Sequence, residues 1–220
     1  MPVRILFVGN SFTARNGMPH ILVDLAAAAE NPLAVEVESI IAGGASLRRH
    51  WNAGAAQRAL LASRFDWVVL QEQSTLPIKN AQRYHENVRL FAPLIAEHGA
   101  RLALYLTWSR QPAPQAQALM NDAVDAIAAE TGGRTVPVGR AWHDALDDDP
   151  PIELYMPDGS HPNATGSYLA ACTFLVTLLE RAPGGFAVSD ALRIEHGIAV
   201  RVHAHARNAA ANRPAASTAR

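Results

Sequence analysis

Three side chains that lie far apart in the sequence have the types that nucleophilic acyl chemistry requires. Ser11 follows the apolar run Ile5–Val8, whereas Asp158 and His161 lie three residues apart in the last third of the chain. A serine hydroxyl attacks an acyl carbonyl when a base removes its proton and a further group orients that base. We therefore interpret Ser11 as the nucleophile, His161 as the base, and Asp158 as the carboxylate that orients the imidazole.

The segment MPDGSHPN, which contains Asp158 and His161, is typical of a short turn that leads into a helix. Pro162 and Asn163 favour the helix start. A rigid turn before them can hold the carboxylate against one ring nitrogen of His161, which leaves the other nitrogen free to face Ser11. Each piece alone is more often an ordinary turn. The hypothesis therefore depends on all the pieces meeting at one edge of the fold.

Acyl transfer also needs hydrogen-bond donors that are aimed in advance at the developing oxyanion. The backbone N–H of Ser11 is one candidate, because this residue stands where a strand gives way to a helix. The backbone N–H of Gly44 is a second, because glycine has no side chain to block it. The side-chain amide of Gln71, at the end of another apolar run, is the third.

Short apolar runs alternate with longer segments of helical periodicity along the chain. The runs are apolar almost throughout, as expected for strands buried on both faces of a parallel sheet. The predicted strands are Val3–Val8, Val35–Ile41, Trp67–Gln71, Arg101–Thr107 and Thr135–Val138. The predicted helices are Met18–Glu30, Ala53–Arg64, Ala81–His98, Gln115–Thr131, Ala164–Arg181 and Val188–Val202.

This alternation predicts an α/β fold, a three-layer α/β/α sandwich around a five-stranded parallel, flavodoxin-like sheet of order 2-1-3-4-5. Ligands bind outside the carboxyl ends of such strands. In that order the ends that carry Ser11, Gly44 and Gln71 are neighbours. We expect a single domain over residues 1–205. Residues 206–220 lack apolar periodicity, so we expect a flexible tail there.

Composition excludes several function classes. The 220-residue chain is 49% hydrophobic and has a formal net charge of -1, so its charge gives no reason to expect nucleic acid or an anionic membrane as partner. No apolar run is long enough to span a bilayer. With Cys172 as the one cysteine and no histidine pair at zinc-ligand spacing, we expect no metal and no cofactor. The absence of a recognisable signal sequence favours a cytoplasmic location.

The motifs together resemble those of the SGNH hydrolase superfamily, also called the GDSL esterases and lipases. The resemblance covers about residues 3 to 180. GNSF, which contains Ser11, resembles the first family block, and the Gly44 region resembles the second, whose glycine contributes an oxyanion N–H. DGSHP, from Asp158 to Pro162, is similar to the last block, Asp-x-x-His. The resemblance implies ester hydrolysis through an acyl-enzyme on a flavodoxin-like sheet, without a metal.

Two positions depart from the family pattern. Asn10 stands where the first block more commonly has Asp, and this need not remove activity because the triad acid lies beside the histidine. The third block, usually Gly-x-Asn-Asp, is replaced by LQEQS, residues 70–74. Carbohydrate acetylesterases of the same superfamily resemble this variant, with Gln in place of Asn. We favour Gln71 as the third oxyanion donor, and Gln73 stays open as its competitor.

The replacement in the third block favours short acyl groups, acetyl above all, on a polar or carbohydrate carrier. Asn10, Gln73 and Trp108 are candidate substrate contacts, with Trp108 either a wall for a sugar or acyl group or an ordinary core residue. The expected partner is thus a small ester, and the sequence leaves the oligomeric state open. Two alternatives remain: a thioesterase or lysophospholipase on the same triad, or a catalytically silent flavodoxin-like binding protein.

Overall fold

Five parallel strands form the centre of the protein. The computed structural model describes residues 1–148 and 150–212. It places the strands in the order β2-β1-β3-β4-β5, with every neighbouring pair parallel. The predicted fold class and strand order are therefore confirmed. The strands are β1 (Val3–Gly9), β2 (Val35–Ile41), β3 (Trp67–Leu70), β4 (Arg101–Tyr105) and β5 (Arg134–Val136).

Eleven α-helical segments cover this sheet within the described residues. Seven lie before β5: α1 (Ser11–Ala14), α2 (Met18–Ala27), α3 (Leu47–Ala53), α4 (Ala55–Ala62), α5 (Leu76–Lys79), α6 (Ala81–Glu97) and α7 (Gln117–Thr131). Four follow it: α8 (Val138–Leu146), α9 (Ala164–Leu178), α10 (Ala187–Ala191) and α11 (His196–Ala211).

Alternate side chains of each strand point to opposite faces of the sheet, and each face is buried under its own set of helices. Ile5 and Phe7 of β1 lie in a core with residues of α2, α8, α9 and α11. Leu6 and Val8 lie in a second core with residues of α3, α4, α6 and α7. Two buried faces explain why β1, β3 and β4 are mostly apolar rather than alternating, whereas the edge strand β2, with the sequence VEVESII, is partly exposed.

The predicted helix Ala53–Arg64 is wrong at its start. The structure has two helices here, α3 and α4, separated by Gly54. Gly54 has φ +72°, a left-handed conformation that favours glycine and ends the first helix. The helix α8 was not predicted, because β5 ends at Val136 and the chain turns into this helix after Pro137.

The C-terminal prediction also needs correction. The single predicted helix Val188–Val202 is two helices, α10 and α11, and α11 continues to Ala211. Ala206, Ala209 and Ala210 are buried in that last stretch, so residues 206–211 pack on the domain rather than forming a free tail. Small alanines gave no hydrophobic signal in the sequence. The rest of the predicted tail, residues 213–220, lies outside the described residues.

No helix in the part of the chain that the structure describes has the length and apolar character needed to cross a membrane. The same residues contain no cluster of three or more His, Cys, Asp or Glu side chains that could hold a metal ion.

Candidate active site

Ser11 lies at the carboxyl end of β1, as the first residue of the one-turn helix α1. Asn10 caps this helix, since its Oδ1 accepts a hydrogen bond of 3.1 Å from the N–H of Phe12. The residue before Asn10 is Gly9, and a larger residue does not fit there. A Cβ at position 9 would lie 2.7 Å from Oγ1 of Thr13 and 2.8 Å from Oε1 of Gln71. The serine is therefore placed by a tight, packed strand-to-helix junction.

The structure brings Ser11, His161 and Asp158 together in one hydrogen-bonded chain. Ser11 Oγ lies 2.9 Å from His161 Nε2, and His161 Nδ1 lies 2.6 Å from Asp158 Oδ2. A carboxylate opposite Nδ1 requires the proton on that nitrogen, which leaves Nε2 free to accept the hydroxyl proton of Ser11. This is the geometry that serine nucleophiles of acyl-transfer enzymes use.

Hydrogen bonds to the Asp158 carboxylate keep it charged. The His161 ring contributes most, followed by the backbone N–H groups of His161 and Ser160, each 2.9 Å from Oδ1. Together these interactions lower the pKa of Asp158 to about 2. The carboxylate is consequently ionised throughout the neutral range and favours the imidazole tautomer described above.

The turn from Met156 to His161 is fixed mainly by backbone hydrogen bonds. The N–H of Met156 donates to the carbonyl of His161 at 2.8 Å, and the N–H of Gln111 donates to the carbonyl of Gly159 at 2.9 Å. Gly159 has φ +62°, so the turn needs a residue that tolerates the left-handed region. The histidine is thus held by an exposed turn that is tied to the loop after β4.

Trp108 supports this turn and does not form a substrate wall. The indole is 2% exposed and stacks on Trp142 at a centroid distance of 3.8 Å. Its Nε1 donates to the carbonyl of Ser160 at 3.0 Å. The candidate role of Trp108 as a substrate contact is therefore wrong, because the whole ring is enclosed.

Asn16 was missed in the sequence, and it joins the two halves of the site. Its side-chain amide donates to the carbonyl of Asn163 at 2.9 Å and to Oγ of Ser167 at 2.8 Å, and it also reaches the carbonyl of Pro162 at 3.2 Å. The residue has φ 55°, which Asn adopts more readily than most residues. The pair Asn16-Gly17 was the one available signal, since both residues favour left-handed turns.

Asn10 is also buried, at 2% exposure, and lies behind the serine rather than in front of it. Its side-chain amide donates to the carbonyl of Ala45 at 3.0 Å, which ties the loop containing Gly44 to the end of β1. The candidate role of Asn10 as a substrate contact is accordingly corrected. The residue acts on the site by positioning a neighbouring loop.

Gln71 does not present its amide to the site. Its side chain is fully buried, and Oε1 accepts the backbone N–H of Asn10 at 2.8 Å and the hydroxyl of Thr13 at 3.1 Å. The remaining Nε2 donates to the carbonyl of Glu72. The expectation that Gln71 supplies an oxyanion donor is thus corrected: this side chain braces the turn that carries Ser11.

Gln73 has the free donor that Gln71 lacks. Its Oε1 accepts hydrogen bonds from Thr75, from the backbone N–H at 3.0 Å and from the hydroxyl at 3.1 Å. Its Nε2 has no hydrogen-bond partner among residues 1–148 and 150–212, and the residue is only partly buried. Of the two glutamines that the sequence left open, Gln73 is therefore the one whose amide donor is free.

Gly44 lies in the exposed turn between β2 and α3. The N–H of Ala45 donates to the carbonyl of Ala42 at 3.1 Å, and Gly44 has φ +61°, as the third residue of a type II turn requires. Within the described chain no acceptor faces the N–H of Gly44, and the same holds for the N–H of Ser11. Two backbone donors near the nucleophile are thus unpaired.

Two further buried polar residues at this edge were missed. His50, which is nearly enclosed, holds the end of β1 through a 2.8 Å hydrogen bond from Nε2 to the carbonyl of Gly9. Burial lowers its pKa, so it stays neutral. Glu72 is buried behind the Gly44 turn. A single histidine on a helix gives no signal in the sequence, whereas a glutamate directly after a buried strand was a usable one.

Comparisons with solved structures agree with this fold. The chain is similar to a protein from Slackia heliotrinireducens described as a candidate SGNH hydrolase, with 32% identity, a TM-score of 0.68, and coverage of 78% of this chain and 96% of that chain. It is also similar to a DUF4886 family protein from Bacteroides uniformis, with 19% identity, a TM-score of 0.69 and 96% of each chain covered. A third is Axe2, an acetylxylan esterase from Geobacillus stearothermophilus, with 20% identity, a TM-score of 0.63, and 79% and 92% covered.

No protein-family model matches the chain, and no curated protein matches it. The identity and coverage shared with the Slackia protein nevertheless show the family: this chain belongs to the SGNH hydrolases. It is therefore a hydrolase, as the resemblance of its motifs implied.

Proposed function

We propose that this enzyme is a serine esterase that removes short acyl groups, acetyl above all, from a polar or carbohydrate carrier. The observation that carries the proposal is the continuous hydrogen-bonded chain from Ser11 Oγ through His161 to Asp158, with distances of 2.9 Å and 2.6 Å. This chain supplies a nucleophile, a base, and a carboxylate that orients the base.

In the first half of the reaction, Ser11 Oγ attacks the ester carbonyl while His161 Nε2 takes the hydroxyl proton. The imidazolium then gives this proton to the leaving alcohol as the carbon–oxygen bond breaks, which yields an acyl-enzyme. In the second half, His161 removes a proton from water, the water oxygen attacks the acyl group, and the proton returns to Ser11 Oγ as the acid leaves. Asp158 stays ionised throughout and stabilises the imidazolium.

The oxyanion is held by the N–H of Ser11, the N–H of Gly44 and the side-chain amide of Gln73. Support comes from the absence of other partners, because each of these donors is unpaired within residues 1–148 and 150–212. Donors that are fixed before the reaction stabilise developing charge without reorganisation. Gln73 takes the place that the sequence hypothesis gave to Gln71.

A preference for short acyl groups is supported by the surroundings of Ser11. Arg15 and Asn16, which follow Ser11 closely in the chain, are exposed polar side chains. Axe2 is an acetylxylan esterase, and its shared fold makes acetylated xylo-oligosaccharides the natural first carbohydrate substrates to assay.

The test compares p-nitrophenyl acetate, butyrate and octanoate, followed by acetylated xylo-oligosaccharides. We expect kcat/KM to fall as the acyl chain lengthens, and acetate to be released from the oligosaccharides by the wild type but not by Ser11→Ala. Faster turnover of octanoate would contradict the short-acyl proposal and favour a lysophospholipase. No turnover of any ester by folded protein would contradict the esterase proposal as a whole.

A further inference from the structure

Glu72 is a buried carboxylate that bridges two loops of the active site. It is 5% exposed, and its Oε1 accepts the backbone N–H of Leu47 at 3.0 Å and that of Gln73 at 2.7 Å. Leu47 begins α3 directly after the turn that contains Gly44, whereas Gln73 belongs to the loop after β3. One oxygen atom therefore holds the backbones of both loops.

The second oxygen of this carboxylate is held by Asn87 of α6. The Asn87 Nδ2 donates to Glu72 Oε2 at 2.8 Å, and its Oδ1 accepts from Nε of Arg48 at 3.1 Å. Arg48 is the residue after Leu47, so α3 is bound twice: once directly by Glu72 and once through Asn87. Asn87 is fully buried, which fixes the orientation of the whole network.

A buried carboxylate is retained at a cost in solvation, and this network offsets part of the cost. Burial dominates and raises the pKa of Glu72 above its ordinary value, whereas the hydrogen bonds from Asn87 and from the backbone of Gln73 and Leu47, together with the positive charge of Arg83, oppose this shift. Three N–H donors that converge on a carboxylate form charge-assisted hydrogen bonds, which are stronger than neutral ones. Losing a hydrogen bond of this network would loosen both loops at once.

We propose that Glu72 is a positioning residue that fixes the separation of two oxyanion donors, the N–H of Gly44 and the side-chain amide of Gln73. The proposal rests on the function proposed above, because it assigns those two donors to the oxyanion. Glu72 does not touch the substrate. It acts through the backbone of Leu47 on one loop and through the backbone of Gln73 on the other.

The test exploits the order of donors and acceptors in the network. Glu72→Gln replaces one carboxylate oxygen by an amide, which then meets the donor of Asn87 and leaves one hydrogen bond unmade. Asn87→Asp alone places two carboxylates against each other. The double variant restores complementarity, because the new amide at position 72 donates to the new carboxylate at position 87, which still accepts from Arg48.

We expect Glu72→Gln to lower kcat roughly 10- to 100-fold with KM little changed, because the oxyanion donors act on the transition state. The double variant should recover most of this loss, to within about 3-fold of the wild type. Rates are expressed per serine labelled by a fluorophosphonate, so that unfolded protein does not count. Glu130→Gln is the matched control: it removes the carboxylate that pairs with Arg89 on the surface, and it should leave kcat unchanged.

The positioning role would be overturned if Glu72→Gln had the same kcat as the wild type. It would also be overturned if the double variant were no faster than Glu72→Gln. If Glu72→Gln does not fold, Asn87→Ser provides the measurement, since it removes the hydrogen bond that orients the Glu72 carboxylate between the two loops, and it should lower kcat several-fold at constant KM. An unchanged kcat there would also overturn the proposal. A wild type that neither hydrolyses esters nor labels would instead defeat the proposed function itself.

Discussion

The two halves of the candidate active site are built in different ways. The half that carries Ser11 is braced from behind by buried polar side chains, with Asn10 at 2% exposure and Gln71 and Thr13 at 0%. The half that carries His161 is a surface turn in which the Asp158 side chain is 48% exposed and the His161 side chain is 26% exposed. Backbone hydrogen bonds and one tryptophan indole hold that turn in place.

Because of this difference, substitutions in the two halves should affect stability and catalysis differently. Losing one partner of a buried hydrogen bond lowers the free energy of unfolding, because the remaining partner can then bond neither to the protein nor to water. Exposed charged groups contribute little to stability, because solvent screens them. Substitutions behind Ser11 should therefore weaken the fold, whereas substitutions in the histidine turn should remove activity from a protein that stays folded.

The largest effect short of losing the nucleophile is expected from Asp158→Asn. The new side chain still accepts from the backbone through its oxygen, but its amide faces Nδ1 of His161 and favours the wrong tautomer. By analogy with serine proteases we expect kcat to fall roughly 10³- to 10⁴-fold. The melting temperature should be nearly unchanged. Steady-state kinetics and thermal unfolding check this together, and a loss of less than 10-fold would show that Asp158 does not orient the base.

A smaller loss is expected from Gln73→Ala, which removes one proposed oxyanion donor. We predict a fall in kcat of roughly 10²- to 10³-fold with KM nearly constant, since the donor acts mainly on the transition state. Gln73→Glu is the companion variant: it keeps the size of the side chain but replaces the donor by an acceptor, and it should be at least as slow. Normal turnover in both variants would exclude Gln73 from the oxyanion hole.

The smallest catalytic effect, and the largest effect on stability, is expected from Gln71→Ala. This change leaves the N–H of Asn10 and the hydroxyl of Thr13 without their buried acceptor. We predict a loss of about 1–3 kcal/mol in the free energy of unfolding. The kcat per folded molecule should fall less than in Gln73→Ala. Chemical denaturation measures the first quantity, and the reverse order of the two kcat values would restore Gln71 as the donor.

Much of the fold could be predicted because the inner strands β1, β3 and β4 are buried on both faces and so have mostly apolar sequences. The order of the strands followed from the alternation with helices, and the carboxyl edge followed from that order. The break at Gly54 and the extension of α11 to Ala211 could not be predicted with the same ease. The break between α3 and α4 depends on the left-handed conformation of one residue, and the extension of α11 depends on the close packing of alanines.

At the site, Ser11, Asp158 and His161 could be named because nucleophile, acid and base have distinctive types and spacing. The choice between Gln71 and Gln73 could not be made, because it depends on where β3 ends. The N–H of Gln71 still donates to the carbonyl of Val8 in the manner of a strand residue, so its side chain is committed to the interior. Two residues later the chain has left the sheet. The role of Trp108 was ambiguous because it also follows the end of a strand, β4, and the sequence does not show whether such a side chain faces the core or the site.

The central claim is that Ser11 is an activated nucleophile, and intact-mass analysis after treatment with a fluorophosphonate tests it most directly. The account predicts one adduct on the wild type, mapped to Ser11 by peptide analysis, and none on Ser11→Ala of equal thermal stability. Asp158→Asn should label far more slowly than the wild type. An unlabelled but fully folded wild type, or an adduct that persists in Ser11→Ala, would contradict the account.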